Sequence, residues 1–162
     1  MPRLVTNIVL AGLGGQGILT ASDILAKAAL MAGHDVKKAE VHGMSQRGGF
    51  VMSDVRFGDK VLSPMIPPGE ADVLVLLEES QLEAARNRLR SGGVLLKPDS
   101  VPVESLPSKR SFNTAMLGCL SRHLEIPETM WIAALRSELP ERLHEMNLKA
   151  FEIGRSAISP EG

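Results

Sequence analysis

The sequence predicts an α/β domain of three layers: a mixed, mainly parallel sheet with an antiparallel hairpin, flanking helices and a helical C-terminus. Three observations carry this reading. Strand-like and helix-like segments alternate through the first half, the order of a sheet with helices laid against it. A glycine-rich turn joins the first strand to the first helix. Beyond Arg110 only helical periods remain, punctuated by proline and glycine. A chain of 162 residues, 44% of them hydrophobic, can bury one core without staples. Residues 1–162 are therefore expected to form a single domain.

Asn7 to Ala11 is a short apolar run that ends at Gly12, the pattern of a buried strand. A helix is expected from about Gln16 to Ala32, with Ala21, Leu25, Ala28, Ala29 and Ala32 at helical spacing and Gly33 as its stop. Small side chains on that stripe let a helix sit close to a sheet, so it reads as packing. Val36 to Val41 forms the second expected strand. Phe50 to Phe57 alternates apolar and polar residues, and Gly58-Asp59 separates it from Lys60-Val61-Leu62. That pattern predicts a hairpin closed by a tight type II′ turn. Prolines at 64, 67 and 68 make a loop of the next stretch. Asp72 to Leu77 is a buried strand, Glu79 to Arg90 an amphipathic helix stopped by Gly92-Gly93, and Val94 to Leu96 a last short strand. Pro98, Pro102 and Pro107 interrupt any period over residues 97–110, which are expected to be an irregular linker inside the domain. Helices follow at about Asn113 to His123, Glu128 to Ser137 and Glu141 to Ile153.

Composition excludes several functions. Lys and Arg number 18 against 19 Asp and Glu, a net charge of −1, and no basic run gathers for a nucleic acid. The single cysteine, Cys119, excludes an internal disulfide and a four-thiolate iron–sulfur cluster held by this chain. His123 and His144 offer no metal triad, so no metal is expected. No apolar run approaches the roughly 20 residues needed to span a bilayer, and the N-terminus enters a strand pattern without a signal-peptide layout. A cytoplasmic protein without membrane or nucleic-acid partners is expected. With no Tyr, one Trp and four Phe, the core must rest on aliphatic side chains and eight Met.

Gly12-Leu13-Gly14-Gly15-Gln16-Gly17 satisfies G-x-G-x-x-G directly after a strand and directly before a helix, a Rossmann-like placement. There the glycines permit a close backbone approach, and the helix start favours an anion; alternatively, the turn only lets helix and strand pack. Glu40 ends the second strand about 20 residues on, where a nicotinamide-binding domain places the acid that holds a ribose. The other reading of Glu40 is an exposed strand-end carboxylate. His42-Gly43-Met44-Ser45-Gln46-Arg47-Gly48-Gly49 follows, where an open α/β sheet carries binding loops. It combines a titratable imidazole, a guanidinium able to clamp a carboxylate or phosphate, and glycines that admit a ligand. The structural alternatives are a histidine capping the strand end and an arginine paired with a neighbouring acid. Met44 either lines an aromatic pocket or fills space beside the loop. Trp131, Met130 and Leu135 read as a helix face, and Cys119 as buried and inert.

GLGGQG before a helix, EVHGMSQRGG, and VRFGDKVLSPMIPPGEADVLV together resemble the beta subunits of indolepyruvate ferredoxin oxidoreductases, related to the gamma subunits of pyruvate, ketoisovalerate and other 2-oxoacid:ferredoxin oxidoreductases. The resemblance resumes at NTAMLGCL (Asn113 to Leu120) and runs from Trp131 to Gly154. It fails over about residues 97–110, where members carry a longer segment with a further strand and helix; a shorter sheet is implied here. The HGMSQRGG form favours the aryl-pyruvate branch.

The resemblance implies a non-cluster oxidoreductase subunit, inactive alone, that completes the site for thiamine-diphosphate-dependent oxidative decarboxylation of indolepyruvate or another aryl pyruvate to an acyl-CoA. Thiamine diphosphate and the iron–sulfur clusters would reside on a larger alpha subunit, coenzyme A would be co-substrate, and ferredoxin would be reached through the complex, for which a dimer of heterodimers is one arrangement. Gly12, Gly14, Gly15, Gln16 and Gly17, with Ser45, Gln46, Arg47, Gly48 and Gly49, would bind cofactor or co-substrate. His42 and Arg47 would complete the active site, and no residue is assigned as general base. The rival reading is a free-standing NAD(P)-binding module, supported by the glycine turn and Glu40; a third is a scaffolding relative without catalysis.

Overall fold

The computed structural model describes residues 5–42 and 49–157. A five-stranded sheet of order β2-β3-β1-β4-β5 is built from β1 (Val5–Leu13), β2 (Asp35–His42), β3 (Phe50–Gly58), β4 (Ala71–Leu76) and β5 (Leu89–Leu96). β1 pairs in parallel with β4, and β4 with β5, whereas β3 runs antiparallel to both β1 and β2. Four strands therefore point one way and β3 alone is reversed, so the sheet is mixed and mainly parallel, as expected.

The antiparallel arm lies elsewhere than the sequence pattern suggested. Residues 60–62 form no strand; β3 pairs instead with β2 from Asp35 opposite Gly58 to His42 opposite Val51. The reason is burial. Pairing between β1 and β2 seals Val51, Val55 and Phe57 in the core, whereas a hairpin with Lys60 to Leu62 would leave β3 at an edge. The Val61 N–H goes instead to Asp35 Oδ2 at 2.8 Å.

One face of the sheet carries α1 (Ile18–Met31) and the C-terminal helices α3 (Phe112–Ser121), α4 (Glu128–Glu138) and α5 (His144–Ser156). On α1, Ala21, Leu25, Ala28 and Ala29 are wholly buried, and Gly33, at φ 94°, ends the helix as expected. α3 and α5 cross in near-contact. A Cβ on Gly118 would stand 2.1 Å from the Phe151 carbonyl oxygen, and one on Gly154 1.8 Å from that of Ala115. Only glycine fits at either position.

The other face is closed by less. The segment expected as one helix from Glu79 to Arg90 is broken into a 3₁₀ turn, the single helical turn α2 (Leu82–Ala85) and a second 3₁₀ turn at Arg86–Arg88. Gly92 and Gly93 do not cap it; they lie within β5, where the register with β4 shifts. Too few positions in 79–90 find apolar cover to hold a full helix, and Ala85 is its one buried residue. Residues 97–110 carry 3₁₀ turns at Pro98–Ser100, Val103–Ser105 and Lys109–Ser111, the last running to 111.

Candidate functional site: the glycine turn and its cationic cleft

β1, β2 and β4 all end at one edge of the sheet, where β3 begins: Leu13 lies opposite Phe50, His42 opposite Val51, and Ala11 beside Leu76. The glycine turn and both ends of the HGMSQRGG loop therefore meet there. Gly14 N–H donates to the Gly49 carbonyl at 3.1 Å. His42 is the last residue of β2; Gly43, Met44, Ser45, Gln46, Arg47 and Gly48 lie outside the described residues.

Within the turn the residues do different things. Gly12 belongs to β1, opposite Val51, and a Cβ there would meet Gln16 Oε1 at 2.7 Å and Leu77 at 3.2 Å. Its role is close packing. Gln16 locks the turn: its Oε1 accepts the Leu13 N–H at 2.7 Å and its Nε2 donates to Glu78 Oε1 at 3.1 Å. Both ends of the amide are engaged within the chain, which makes it a scaffold for the loop. Gly15 and Gly17 adopt φ 88° and 80° and line a cleft.

That cleft, about 560 Å³, runs from Gly15, Gln16 and Gly17 to Lys109 and Arg110 on one side and Arg142 on the other. Among the described residues no Asp or Glu lines it. α1 opens onto it with Gly17 as cap, a residue with no side chain to satisfy the first turn. Orphan N–H groups, the positive helix end and three cations thus converge on one space, which suits a polyanion. Met146, Leu139 and Leu143 give its far wall an apolar surface.

Sequence reasoning missed the cations, because they come from the irregular segment before α3 and the connection before α5. A buried polar set ties them to the turn. Asn113 Nδ2 donates to the Gly17 carbonyl at 3.1 Å, Thr114 Oγ1 donates to Asn147 Oδ1 at 2.7 Å, and Asn147 Nδ2 donates to the Leu143 carbonyl at 2.9 Å. Three buried polar residues at one helix junction are a signal the sequence does carry: NT in the α3 motif and the lone Asn of α5.

The nicotinamide geometry is not built. β3 separates β2 from β1, putting the two strands about 9.5 Å apart rather than one spacing. Glu40 is exposed and sits 3.7 Å from Lys38, which also pairs with Asp23 on α1. This is the strand-end carboxylate of the alternative reading. Cys119 is buried in α3, and burial pushes its thiol above the ordinary value against the opposing pull of Arg122. Trp131 and Leu135 are buried in the core, with Trp131 5.7 Å from Phe151 between ring centres. Among the described residues no group of three or more His, Cys, Asp or Glu is placed to hold a metal ion. No described helix is long and apolar enough to cross a membrane.

Residues 7–107 match the family model of pyruvate ferredoxin/flavodoxin oxidoreductase. The chain belongs to the pyruvate ferredoxin/flavodoxin oxidoreductase family. Within that family it is similar to indolepyruvate oxidoreductase subunit IorB of Thermococcus kodakarensis, 51% identical over 191 residues that span 93% of this chain and 95% of that one. The aligned length exceeds 162 residues, so that family member carries residues with no counterpart here. The same subunit of Pyrococcus horikoshii is 52% identical over 89 residues, covering 55% of this chain and 44% of the relative. In structure, a 2-oxoglutarate:ferredoxin oxidoreductase from Magnetococcus marinus superposes with a TM-score of 0.82 at 21% identity, over 98% of this chain and 33% of that one. The family fold is thus shared, and this chain is homologous to small subunits of 2-oxoacid:ferredoxin oxidoreductases.

Proposed function

We propose that this chain is the small, cluster-free subunit of a cytoplasmic 2-oxoacid:ferredoxin oxidoreductase acting on indolepyruvate or another aryl pyruvate, and that its cationic cleft takes the phosphates of coenzyme A. The observation that carries the second half is the convergence of Lys109, Arg110 and Arg142 on the open start of α1 with no acid among the described lining residues. The Magnetococcus relative in structure is described with 2-oxoglutarate, coenzyme A and succinyl-CoA bound, which supports assigning an acyl carrier here. An indolepyruvate subunit is 51% identical and a 2-oxoglutarate synthase subunit 33%, while another indolepyruvate subunit is 28% identical. The match at 51% over 93% of the chain supports the aryl-pyruvate branch.

In this reading thiamine diphosphate held by the larger subunit would supply the decarboxylation chemistry, and iron–sulfur clusters there would supply the route to ferredoxin. With one buried cysteine, this chain lacks the thiolates for a cluster of its own. Its own residues bind and orient. Backbone N–H groups at Gly15 and Gly17 and the first turn of α1 would hold a phosphate, Lys109, Arg110 and Arg142 would neutralise it, and the apolar wall would lie along the pantetheine. His42 and Arg47, with Ser45, Gln46, Gly48 and Gly49, would complete the substrate side from the neighbouring loop. The assembly would be at least a heterodimer with the larger subunit.

Co-expression with the larger subunit tests this: the complex should reduce ferredoxin with indolepyruvate only when coenzyme A is present. Arg110→Ala should raise KM for coenzyme A about tenfold, the loss of one charge-assisted contact, with KM for the keto acid unchanged. Equal KM for coenzyme A in wild type and Lys109, Arg110 and Arg142 alanine variants would overturn the cleft assignment.

A further inference from the structure

The chain leaves β1 and β4 toward opposite faces of the sheet. α1, which follows β1, packs with Ile8, Leu10, Val73 and Val75, whereas α2, which follows β4, sets Ala85 against the face of Val9, Leu74 and Leu76. Two neighbouring parallel strands whose connections diverge in this way leave a crevice beyond their carboxyl ends, the usual place for a ligand in an open α/β sheet. Glu78 stands at that point, directly after the buried Leu77. Its Oε1 accepts from Gln16 Nε2 at 3.1 Å and its Oε2 from the Ser80 hydroxyl at 3.3 Å.

Gln16 bonds to Leu13 twice. Its backbone N–H donates to the Leu13 carbonyl at 3.2 Å and its Oε1 accepts the Leu13 N–H at 2.7 Å, so main chain and side chain close the turn together. A Cβ on Gly12 would stand 2.7 Å from that same Oε1; glycine at position 12 makes room for the amide. An amide can present either end to a neighbour, and the Leu13 N–H needs the oxygen. A carboxylate, by contrast, only accepts. With Glu78 on one side, the amide nitrogen must face it and the oxygen is left for Leu13. A glutamine at 78 would accept and donate alike, and would let the Gln16 amide turn over.

We propose that Glu78 is a positioning residue for the glycine turn: it fixes the orientation of the Gln16 amide, and through it the geometry in which Gly15 and Gly17 face the cleft. The proposal rests on the coenzyme A reading above. Glu78 is not among the residues that line the cleft, whereas Gln16 is. The acid's charge therefore stays out of the space assigned to phosphate, and the neutral amide carries the constraint there. The same pair joins two parts of the chain 62 residues apart, so the end of β4 sets the form of a turn that follows β1.

Two readouts test this. In the full chain, NMR hydrogen exchange reports the Leu13 N–H: Glu78→Leu should speed its exchange about tenfold while the rest of β1 stays protected. In the complex with the larger subunit, the same substitution should raise KM for coenzyme A about fivefold, with kcat within about twofold and KM for the keto acid unchanged. Glu78→Gln should fall between wild type and Glu78→Leu in both readouts, and it carries the test if the leucine variant does not fold. Glu78→Leu should add nothing to a chain that already carries Gln16→Leu, since both act through one amide. Wild-type exchange at Leu13 in both Glu78 variants, or faster exchange spread evenly over β1, would overturn the positioning role whatever the cleft binds. Faster exchange at Leu13 with an unchanged KM, in a complex where Arg110→Ala does raise it, would confine Glu78 to the fold and overturn its part in binding. A KM for coenzyme A that neither the Glu78 variants nor the cleft alanine variants move would overturn the cleft reading and this proposal with it.

Discussion

Beneath the helices, the sheet meets side chains that carry no charge: Ala21, Ile24, Leu25, Ala28 and Ala29 from α1, then Met116, Leu120, Trp131 and Phe151 behind them, all wholly or almost wholly buried. Beneath the strap of residues 60–69, which crosses the other face, the same strands turn outward Asn7, Asp54, Arg56 and Asp72; Arg56 and Arg88 hold the cover, Arg88 also pairing with Asp54, and Arg90 pairs with Asp72 beside it. The first face gains stability from area and close fit. The second gives up some of that gain to fix where a loop lies. One β3 serves both: Val51, Val55 and Phe57 enter the helical core, while Asp54 and Arg56 hold the strap. The difference teaches that burial alone does not reveal a segment's task, since Asp54 and Val55 are equally inaccessible.

The sharpest way to break this contrast is to remove one member of the buried pair. Arg88→Met leaves Asp54 charged and enclosed, an expected loss of about 3–5 kcal/mol, read as a fall in urea midpoint; no fall would show that the pair is not desolvated as described. Asp54→Leu combined with Arg88→Met should recover most of that stability, because no lone charge remains. On the helical face, Gly154→Ala should cost about 3 kcal/mol by pushing α5 off the Ala115 carbonyl. A variant melting within two or three degrees of wild type would mean that the helices can part cheaply. Charge removal in the cleft, by contrast, should leave stability within about 0.5 kcal/mol and appear only in KM for coenzyme A, since Lys109, Arg110 and Arg142 are exposed.

The smallest effect is a pH dependence on the helical side. His123, just past α3, has its pKa lowered, first by partial burial and then by Arg122. Its folded pKa lies below its unfolded value near 6.5, so the unfolded chain takes up the proton first. The contribution is complete above that value and is lost as pH falls toward the folded pKa. NMR titration should place the His123 midpoint below that of a histidine in a short peptide, and Arg122→Gln should raise it partway; an unshifted midpoint would refute the crowding.

Much of this was legible along the chain. The glycine turn between strand and helix, the alanine face of α1, the two parallel strands and the C-terminal helices all follow from local period and punctuation. The motifs that carry the family resemblance are contiguous segments too. The failures were at Lys60 to Leu62 and Glu79 to Arg90, where alternation and amphipathic spacing were present but a better burial elsewhere won. Within the glycine turn, sequence could not say that Gly12 packs, Gln16 locks and Gly15 and Gly17 face the cleft, because the distinction lies in contacts with Leu77, Glu78 and Asn113 far along the chain.

By itself, then, the sequence determined that this is an α/β chain with a glycine-rich turn between its first strand and first helix, a second glycine-bearing loop after its second strand, and one cysteine, too few for a cluster. These depend on residue type and near neighbours, which a string of letters preserves. Only the tertiary structure decided that β3 runs backwards between β1 and β2, that three distant cations gather at Gly17, and that two faces of one sheet are closed by different means. Each of those is a matter of which long-range pairing buries more surface or leaves fewer charges alone, and that competition is settled across the whole molecule at once.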